Sequence, residues 1–150
     1  MGSEMCIRDR SDHAALCWGS DGDGQLGNPE PAGSPTPIPV ETLSLFTSGI
    51  AAGELHACAI ALMDLLACWG SNASHQLGSD APGGATSEPT LVDSDRRWSK
   101  VSAGNVHSCA ITTGRRLFCW GGNASGQLGL GALTAPVTHP AEVGLTIAPF

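Results

Sequence analysis

The chain has 150 residues, 41% of them hydrophobic, which is enough to bury a core and excludes a disordered tail. Its net charge is −7 and Lys100 is its only lysine, so the composition disfavours direct binding to the phosphates of nucleic acid. The 20 glycines and 10 prolines favour many short strands joined by turns, and no apolar run reaches the ~18 residues of a membrane-spanning helix.

The first ten residues do not match the pattern of the rest of the chain. They lack the basic start and apolar run of a secretory signal peptide. The stretch Met5-Cys6-Ile7-Arg8-Asp9 looks like translated sequencing-adapter read-through. We therefore predict that residues 1–10 are a non-native or artefactual start.

A 51-residue repeat organises the remaining chain. Each copy carries the phrase Cys-Trp-Gly followed by a loop that ends in Gln-Leu-Gly, and the second and third copies add an upstream Ala-Gly-x-x-His-x-Cys-Ala phrase. The spacing divides the chain into a partial repeat 11–48 and complete repeats 49–99 and 100–150. The recurring structural positions are Trp18, Trp69, Trp120, Gly19, Gly70, Gly121, Gln25, Gln76, Gln127, Leu26, Leu77, Leu128, Gly27, Gly78, Gly129, Gly53, Gly104, His56 and His107.

Each complete copy is predicted to form about four short strands. In the third copy these are Lys100–Ala103, His107–Thr112, Leu117–Trp120 and a proline-flanked strand around Pro140–Val143. Four strands in a repeat of this length are typical of one propeller blade. The predicted fold class is all-β, a partial β-propeller of about three four-stranded blades.

The register of the central hairpin predicts two disulfides. If residues 113–115 form a three-residue turn, Cys109 faces Cys119, and the same geometry in the second copy makes Cys58 face Cys68. Opposed positions on antiparallel strands lie close enough for a bridge. The alternative is that these cysteines are small buried thiols in a cytosolic protein.

The first copy departs from this pattern. By the repeat spacing, Met5 stands at the position of His56 and Ile7 at that of Cys58, so Cys6 is displaced by one residue. Cys17 is therefore expected to lack a reliable partner. If the predicted bridges form, the protein belongs in an oxidising place: extracellular, periplasmic or at the cell surface.

The two phrases Ala-Gly-x-x-His-x-Cys-Ala, starting at Ala52 and Ala103, and Cys-Trp-Gly-x-Asn-x-x-Gly-Gln-Leu-Gly, starting at Cys119, resemble the regulator-of-chromosome-condensation repeat. The resemblance covers roughly residues 11–150. It implies a seven-bladed propeller when complete, so further repeats of the same chain are needed to close the ring. Relatives include a chromatin-bound exchange factor and secreted bacterial inhibitors, and the paired cysteines look like the bacterial extracellular branch.

Several candidate sites compete with structural roles. A metal site of His56, Cys58 and Cys68 lacks a Cys-x-x-Cys knuckle and loses its sulfurs if a disulfide forms, so no metal or cofactor is predicted. The formal glycosylation triplets at Asn72 and Asn123 coincide with the repeat phrase, which favours a turn-forming role. A calcium site is disfavoured because the other copies lack the carboxylates of Asp21, Asp23 and Asp80.

The predicted function is a non-catalytic scaffold that binds a protein partner, because no nucleophile–base pair or phosphate loop is present. Family analogy offers guanine-nucleotide exchange on a small GTPase as an alternative, and a surface module for glycans or small ligands is a third reading. An extracellular disulfide protein has no access to a cytosolic GTPase, which separates the first two. The candidate partner-contact residues differ between copies: Asp21, Asp23, Arg96, Arg97, Arg115 and Arg116.

Overall fold

The computed structural model describes residues 5–8, 14–29, 32–40, 46–79 and 84–146, and these form antiparallel β-sheets. The elements in chain order are β1 (Met5–Arg8), β2 (Ala15–Gly19), β3 (Ser34–Pro39), β4 (Phe46–Ala52), β5 (His56–Ala61), a 3-10 turn (Leu62–Asp64), β6 (Leu66–Ser71), β7 (Ala85–Val92), β8 (Trp98–Ala103), β9 (His107–Thr112), β10 (Arg116–Gly121) and β11 (Val137–Thr146). The all-β prediction is confirmed.

The strands form three separate sheets, one for each copy of the repeat. Blade 1 contains β1–β3, blade 2 contains β4–β7 and blade 3 contains β8–β11. Within each sheet the spatial order of the strands follows their order along the chain, as in a meander. The prediction of two complete four-stranded blades and part of a third is confirmed.

The predicted register of the central hairpin is confirmed in both complete copies. In blade 3, Ser108 lies opposite Trp120 and Ala110 opposite Phe118. In blade 2, Ala57 lies opposite Trp69. A small residue beside each large ring leaves room for the neighbouring sheet to interdigitate without voids.

The cysteine pairs lie directly opposite each other on the two central strands of each blade. The Cα atoms of Cys58 and Cys68 are 4.0 Å apart, and those of Cys109 and Cys119 are 4.1 Å apart. Both predicted disulfides are present, and among the described residues no cysteine is free. Each bridge ties the hairpin on which its blade is built.

The expectation that Cys17 lacks a partner was wrong. Cys6 lies opposite Cys17 in the β1–β2 hairpin and forms a third disulfide with it. The two cysteines are 11 residues apart in sequence instead of 10, so the connection is one residue longer and the register shifts by one. Met5 consequently faces Trp18, as Ala57 faces Trp69, and is not the counterpart of His56. The foreign origin of residues 1–10, of which 1–4, 9 and 10 lie outside the described residues, stays a prediction.

The blades pack face to face, and the core lies between them. The Cys58 face of blade 2, with Ile60 and Leu66, is covered by Trp98 and Trp120 of blade 3. On its other face blade 2 inserts Trp69 against blade 1. At the seam between blades 2 and 3, Trp98 and Phe118 pack edge to face with their ring centroids 5.8 Å apart. Each blade therefore depends on its neighbour for burial of its apolar surface.

Candidate functional site

The Gln-Leu-Gly loops, which follow β2, β6 and β10, are built by hydrogen bonds that recur in every copy. The Oδ1 atom of Asp21 accepts the Leu26 N–H at 2.9 Å, and Asn72 and Asn123 accept from Leu77 and Leu128 at 3.1 and 3.2 Å. The glutamine side chain then closes the loop, because its Oε1 accepts the N–H two residues earlier in all three copies. The loop phrase thus specifies a backbone shape.

The two glycosylation triplets serve this same loop geometry. Asn72 and Asn123 are each 1% exposed, and the Nδ2 of Asn123 donates to the carbonyl of Ala132 and the hydroxyl of Thr134. Buried amides engaged in this way are not accessible to a glycosyl donor. The turn-forming role predicted for these residues is confirmed.

The recurring tryptophans join one blade to the next through these loops. The indole Nε1 of Trp69 donates to the carbonyl of Gln25, and that of Trp120 donates to the carbonyl of Gln76, both at 2.9 Å. Gly78 lies in the left-handed region with φ of +65°, and a Cβ there would collide with the indole of Trp120. The Gln-Leu-Gly phrase and the next copy's tryptophan are therefore two halves of one contact.

His56 belongs to the seam between blades 2 and 3. Its ring is fully buried, and its Nε2 lies 2.9 Å from the Ser108 hydroxyl, which itself donates to the carbonyl of Gln76 at 2.9 Å. Because that proton of Ser108 is committed to a carbonyl, Nε2 is the donor in the His56 contact. The partner of His56 is therefore a side chain 52 residues away in the sequence.

The environment of His56 favours its neutral form. Desolvation by burial, together with the nearby charge of His107, lowers the pKa of His56 to about 4. Burial also lowers the pKa of His107. A serine and a histidine in contact resemble a catalytic pair, but both are 0% exposed and no substrate atom can reach the hydroxyl. The contact holds two blades together.

The metal site considered for His56, Cys58 and Cys68 does not suit thiolate ligation, since both sulfurs are joined in a disulfide. Across the described ranges no group of three or more His, Cys, Asp and Glu side chains converges in a way that could hold a metal ion. Within the described residues, no helix is long and apolar enough to cross a membrane.

The two arginine pairs, separate in the sequence, meet at one corner of blade 3. The loop that joins β7 to β8 carries Arg96 and Arg97, the β9–β10 turn carries Arg115, and Arg116 is the first residue of β10. The Thr113 N–H donates to the carbonyl of Arg97 at 2.9 Å, which fixes the loop beside the turn. We name this corner, residues 93–97 and 113–116, the arginine corner.

The four guanidinium groups of the arginine corner have different surroundings. Arg96 pairs with Asp93 and Arg116 with Glu142, and both guanidinium groups lie over the ring of Phe118, at 4.5 and 5.7 Å from its centroid. The Arg116 contact lowers the pKa of the exposed Glu142 carboxyl.

Arg97 and Arg115 are the exposed remainder of the arginine corner. Arg97 donates to the main-chain carbonyls of Ser94 and Arg96, at 2.8 and 3.0 Å, and Arg115 projects from the turn with φ of +63°. In the described residues neither enters a salt bridge with a carboxylate.

The acidic candidates lie elsewhere. Asp21 and Asp23 are on the Gln-Leu-Gly loop of blade 1, at the opposite end of the strands from the hairpin turns. Asp21 is only 5% exposed, so its carboxylate faces inward. The six predicted contact residues therefore form two distant groups. Asp80, considered for calcium, lies outside the described residues.

Family comparison agrees with this architecture. A family model described as the regulator of chromosome condensation (RCC1) repeat matches residues 12–60 and 67–111, and a second model of the same description matches residues 98–127. The matched segments cover most of the chain, including Trp18, Trp69 and Trp120 and the first two Gln-Leu-Gly loops, and they reach the third loop as far as Gln127.

Curated relatives match this chain over part of their longer sequences. The chain is 30% identical over 124 residues to the probable E3 ubiquitin-protein ligase HERC6 of Homo sapiens, covering 81% of this chain and 12% of that protein. It is 31% identical over 119 residues to the ultraviolet-B receptor UVR8 of Arabidopsis thaliana, covering 78% of this chain and 27% of the receptor. The chain thus spans less than a third of either relative.

Solved structures show the same fold. Yeast RCC1 (Prp20) in its complex with Kap60 superposes with a TM-score of 0.80 at 22% identity, over 97% of this chain and 36% of that chain. Prp20p of Saccharomyces cerevisiae, described with its binding to Gsp1p and histones, gives a TM-score of 0.78 at 22% identity, over 97% and 37% of the two chains. At this identity the likeness establishes the β-propeller architecture alone.

Proposed function

Because the chain belongs to the regulator of chromosome condensation (RCC1) repeat family, we propose that it is part of a non-catalytic β-propeller scaffold that binds a protein partner through its exposed turns. The solved relatives described above bind proteins, among them Kap60 and histones. That precedent supports protein recognition as the function class, and it does not identify the partner of this chain.

The observation that carries this proposal is the division between recurring and differing residues. The recurring tryptophans, glutamines and leucines of blades 2 and 3 are almost all buried. The equivalent hairpin turns differ completely: blade 2 presents Leu62 and Met63, 50% and 65% exposed, where blade 3 presents Arg115. Exposed positions that are free to vary on a rigid frame are where a scaffold carries specificity.

The disulfides support an oxidising location. One bridge per blade, three in all, is compatible with an extracellular, periplasmic or cell-surface protein and is unusual in the reducing cytosol. The exchange-factor alternative requires access to a cytosolic GTPase, so it predicts reduced cysteines instead.

Further repeats of the same type are proposed to cover blade 3. Its outer face exposes Cys109, Ile111 and Leu117 in part, whereas the equivalent face of blade 2 is buried by blade 3. An apolar face of this kind is normally covered in a propeller by the next blade. This chain spans 36% of the yeast RCC1 chain, so that protein is long enough to carry further blades.

Two measurements test the function. The complete propeller should not accelerate nucleotide release from a panel of small GTPases, and robust acceleration would establish the exchange-factor reading.

The second measurement is chemical cross-linking of the protein to its partner at the surface of the cell that produces it. The wild type and Glu88→Gln should be cross-linked to the same partner, because Glu88 is an exposed control position on strand β7. The double variant Arg97→Ser/Arg115→Ser should no longer be cross-linked to that partner. Unchanged cross-linking would exclude the arginine corner as the partner-binding surface.

A further inference from the structure

The first Gln-Leu-Gly loop has an acceptor where the third has a donor. In blade 3 the Nδ2 of Asn123 sits between two oxygens, the Ala132 carbonyl at 3.0 Å and the Thr134 hydroxyl at 2.8 Å. Asp21 occupies the same position of the repeat in blade 1, and its Oδ1 keeps the loop bond to Leu26. Its Oδ2 is buried and has no hydrogen-bond partner among the residues that the structure describes. Having Asp in place of Asn at this position therefore removes a hydrogen-bond donor and adds a buried negative charge that needs a positive counter-charge.

The surroundings of Asp21 do not supply that charge. Asp21 and Asp23 line a cavity of about 220 Å³ together with Asn28 and Ser87. Every described residue of its lining is acidic, polar, small or apolar, and none is basic. A desolvated carboxylate is costly unless a cation or a proton neutralises it. Burial accordingly raises the pKa of Asp21.

We propose that this cavity is a calcium-binding site in which the carboxylates of Asp21 and Asp23 are the charged ligands. The atoms of this lining that could ligate a metal are all oxygens, and oxygen ligands suit a hard cation. Calcium accepts irregular oxygen geometry, including main-chain carbonyls and water, whereas magnesium requires a near-ideal octahedron. All four residues of 21–24, in which Asp and Gly alternate, line the cavity, so both aspartates border it.

The site lies at the seam between two blades. A Cβ on Gly24 would be 2.8 Å from the main-chain N and Cα of Ser87, so the loop of blade 1 is packed directly against strand β7 of blade 2. Calcium bound beside Ser87 would therefore link the two blades. With only two carboxylates the expected dissociation constant is on the order of 10⁻⁴–10⁻³ M, the range of extracellular calcium modules. This proposal stands independently of the protein-binding function.

The repeat itself provides variants that preserve the fold. Asp21→Asn installs the residue that Asn72 and Asn123 carry, and Asp23→Ser installs that of Ser74 and Ser125. Asp95→Asn removes an exposed carboxylate at the arginine corner and is the control. The full chain, stripped of metal with a chelator, would be titrated with calcium chloride by calorimetry and followed by thermal unfolding.

We expect calcium, and not an equal concentration of magnesium, to raise the melting temperature of the wild type and of Asp95→Asn. Asp21→Asn should abolish the calorimetric signal, and Asp23→Ser should weaken binding at least 10-fold. Absence of a calcium signal would overturn the proposal. It would indicate that a water bridges Asp21 and the Nε2 of Gln25, which has no hydrogen-bond partner within the described part of the chain. A signal that survives Asp21→Asn would overturn it as well.

Discussion

The indole of Trp120 donates its hydrogen bond to the carbonyl of Gln76, 44 residues earlier, across the boundary between two sheets. Trp69 makes the same contact with Gln25 one repeat earlier. The 51-residue period is therefore visible as a repeated contact between blades. Each Gln-Leu-Gly loop receives the tryptophan of the next copy.

This contact predicts that Gly78 tolerates no side chain. An alanine there would adopt an unfavourable left-handed backbone and drive its Cβ into the Trp120 indole. We expect Gly78→Ala to lower the free energy of unfolding by about 3 kcal/mol. Gly144→Ala is the matched control, because nothing lies within 4 Å of a Cβ at that position. Denaturant titration of both variants measures the difference in stability. Equal unfolding midpoints would contradict the close packing of Gly78 against Trp120.

The buried His56 predicts a loss of stability in mild acid. Its pKa is about 4 in the folded chain against 6.5 in an unfolded one. The folded state therefore binds the proton less readily, and stability that is complete above pH 6.5 is lost as the pH falls towards 4. Between pH 7 and pH 5 the expected loss from this group is about 2 kcal/mol.

Chemical denaturation at the two pH values tests this with His56→Gln, which keeps a donor for Ser108 but does not titrate. The variant should show a smaller difference between pH 7 and pH 5 than the wild type. His139→Gln, at an exposed position of β11, should leave that difference unchanged. The same pH dependence in all three proteins would show that His56 is not the responsible group.

The cysteines predict three specific cross-links. Mass spectrometry of a non-reducing digest of protein from its native compartment should identify Cys58 with Cys68, Cys109 with Cys119, and Cys6 with Cys17 if residues 1–10 are native. Each closes a short loop, so reduction should cost about 2–3 kcal/mol per bridge. Free thiols at Cys58 and Cys109 would refute both the pairing and the oxidising location.

If further blades are present, the stability cost of one substitution should depend on the length of the chain in which it is made. Ile60 is 0% exposed beneath blade 3, whereas Ile111 at the equivalent position of blade 3 lines an open apolar cavity of about 220 Å³. In residues 1–150 alone, Ile60→Ala should cost about 3 kcal/mol and Ile111→Ala less than about 1 kcal/mol. In a complete propeller both should cost about 3 kcal/mol. A persistent difference in the longer protein would mean that no blade covers Ile111.

Local information in the sequence was enough for the repeat, the strands and the pairing inside each hairpin. A tight turn sets the register of the two strands that it joins, so Cys109 opposite Cys119 and Ser108 opposite Trp120 could be predicted from turn length alone. The expectation for Cys6 was wrong because it used the repeat spacing, which cannot reveal that a connection is one residue longer.

Contacts between blades were decided only by the tertiary structure. How far one sheet is rotated and shifted against the next depends on the packing of whole faces, and no single turn encodes it. The bond from His56 to Ser108 and the burial of Asp21 depend on that packing. The contact of Arg97 with Thr113 instead extends the pairing of β8 with β9 inside blade 3. The sequence by itself therefore determined a repeated hairpin with its disulfide, whereas the seams and the candidate calcium site exist only once the hairpins stack.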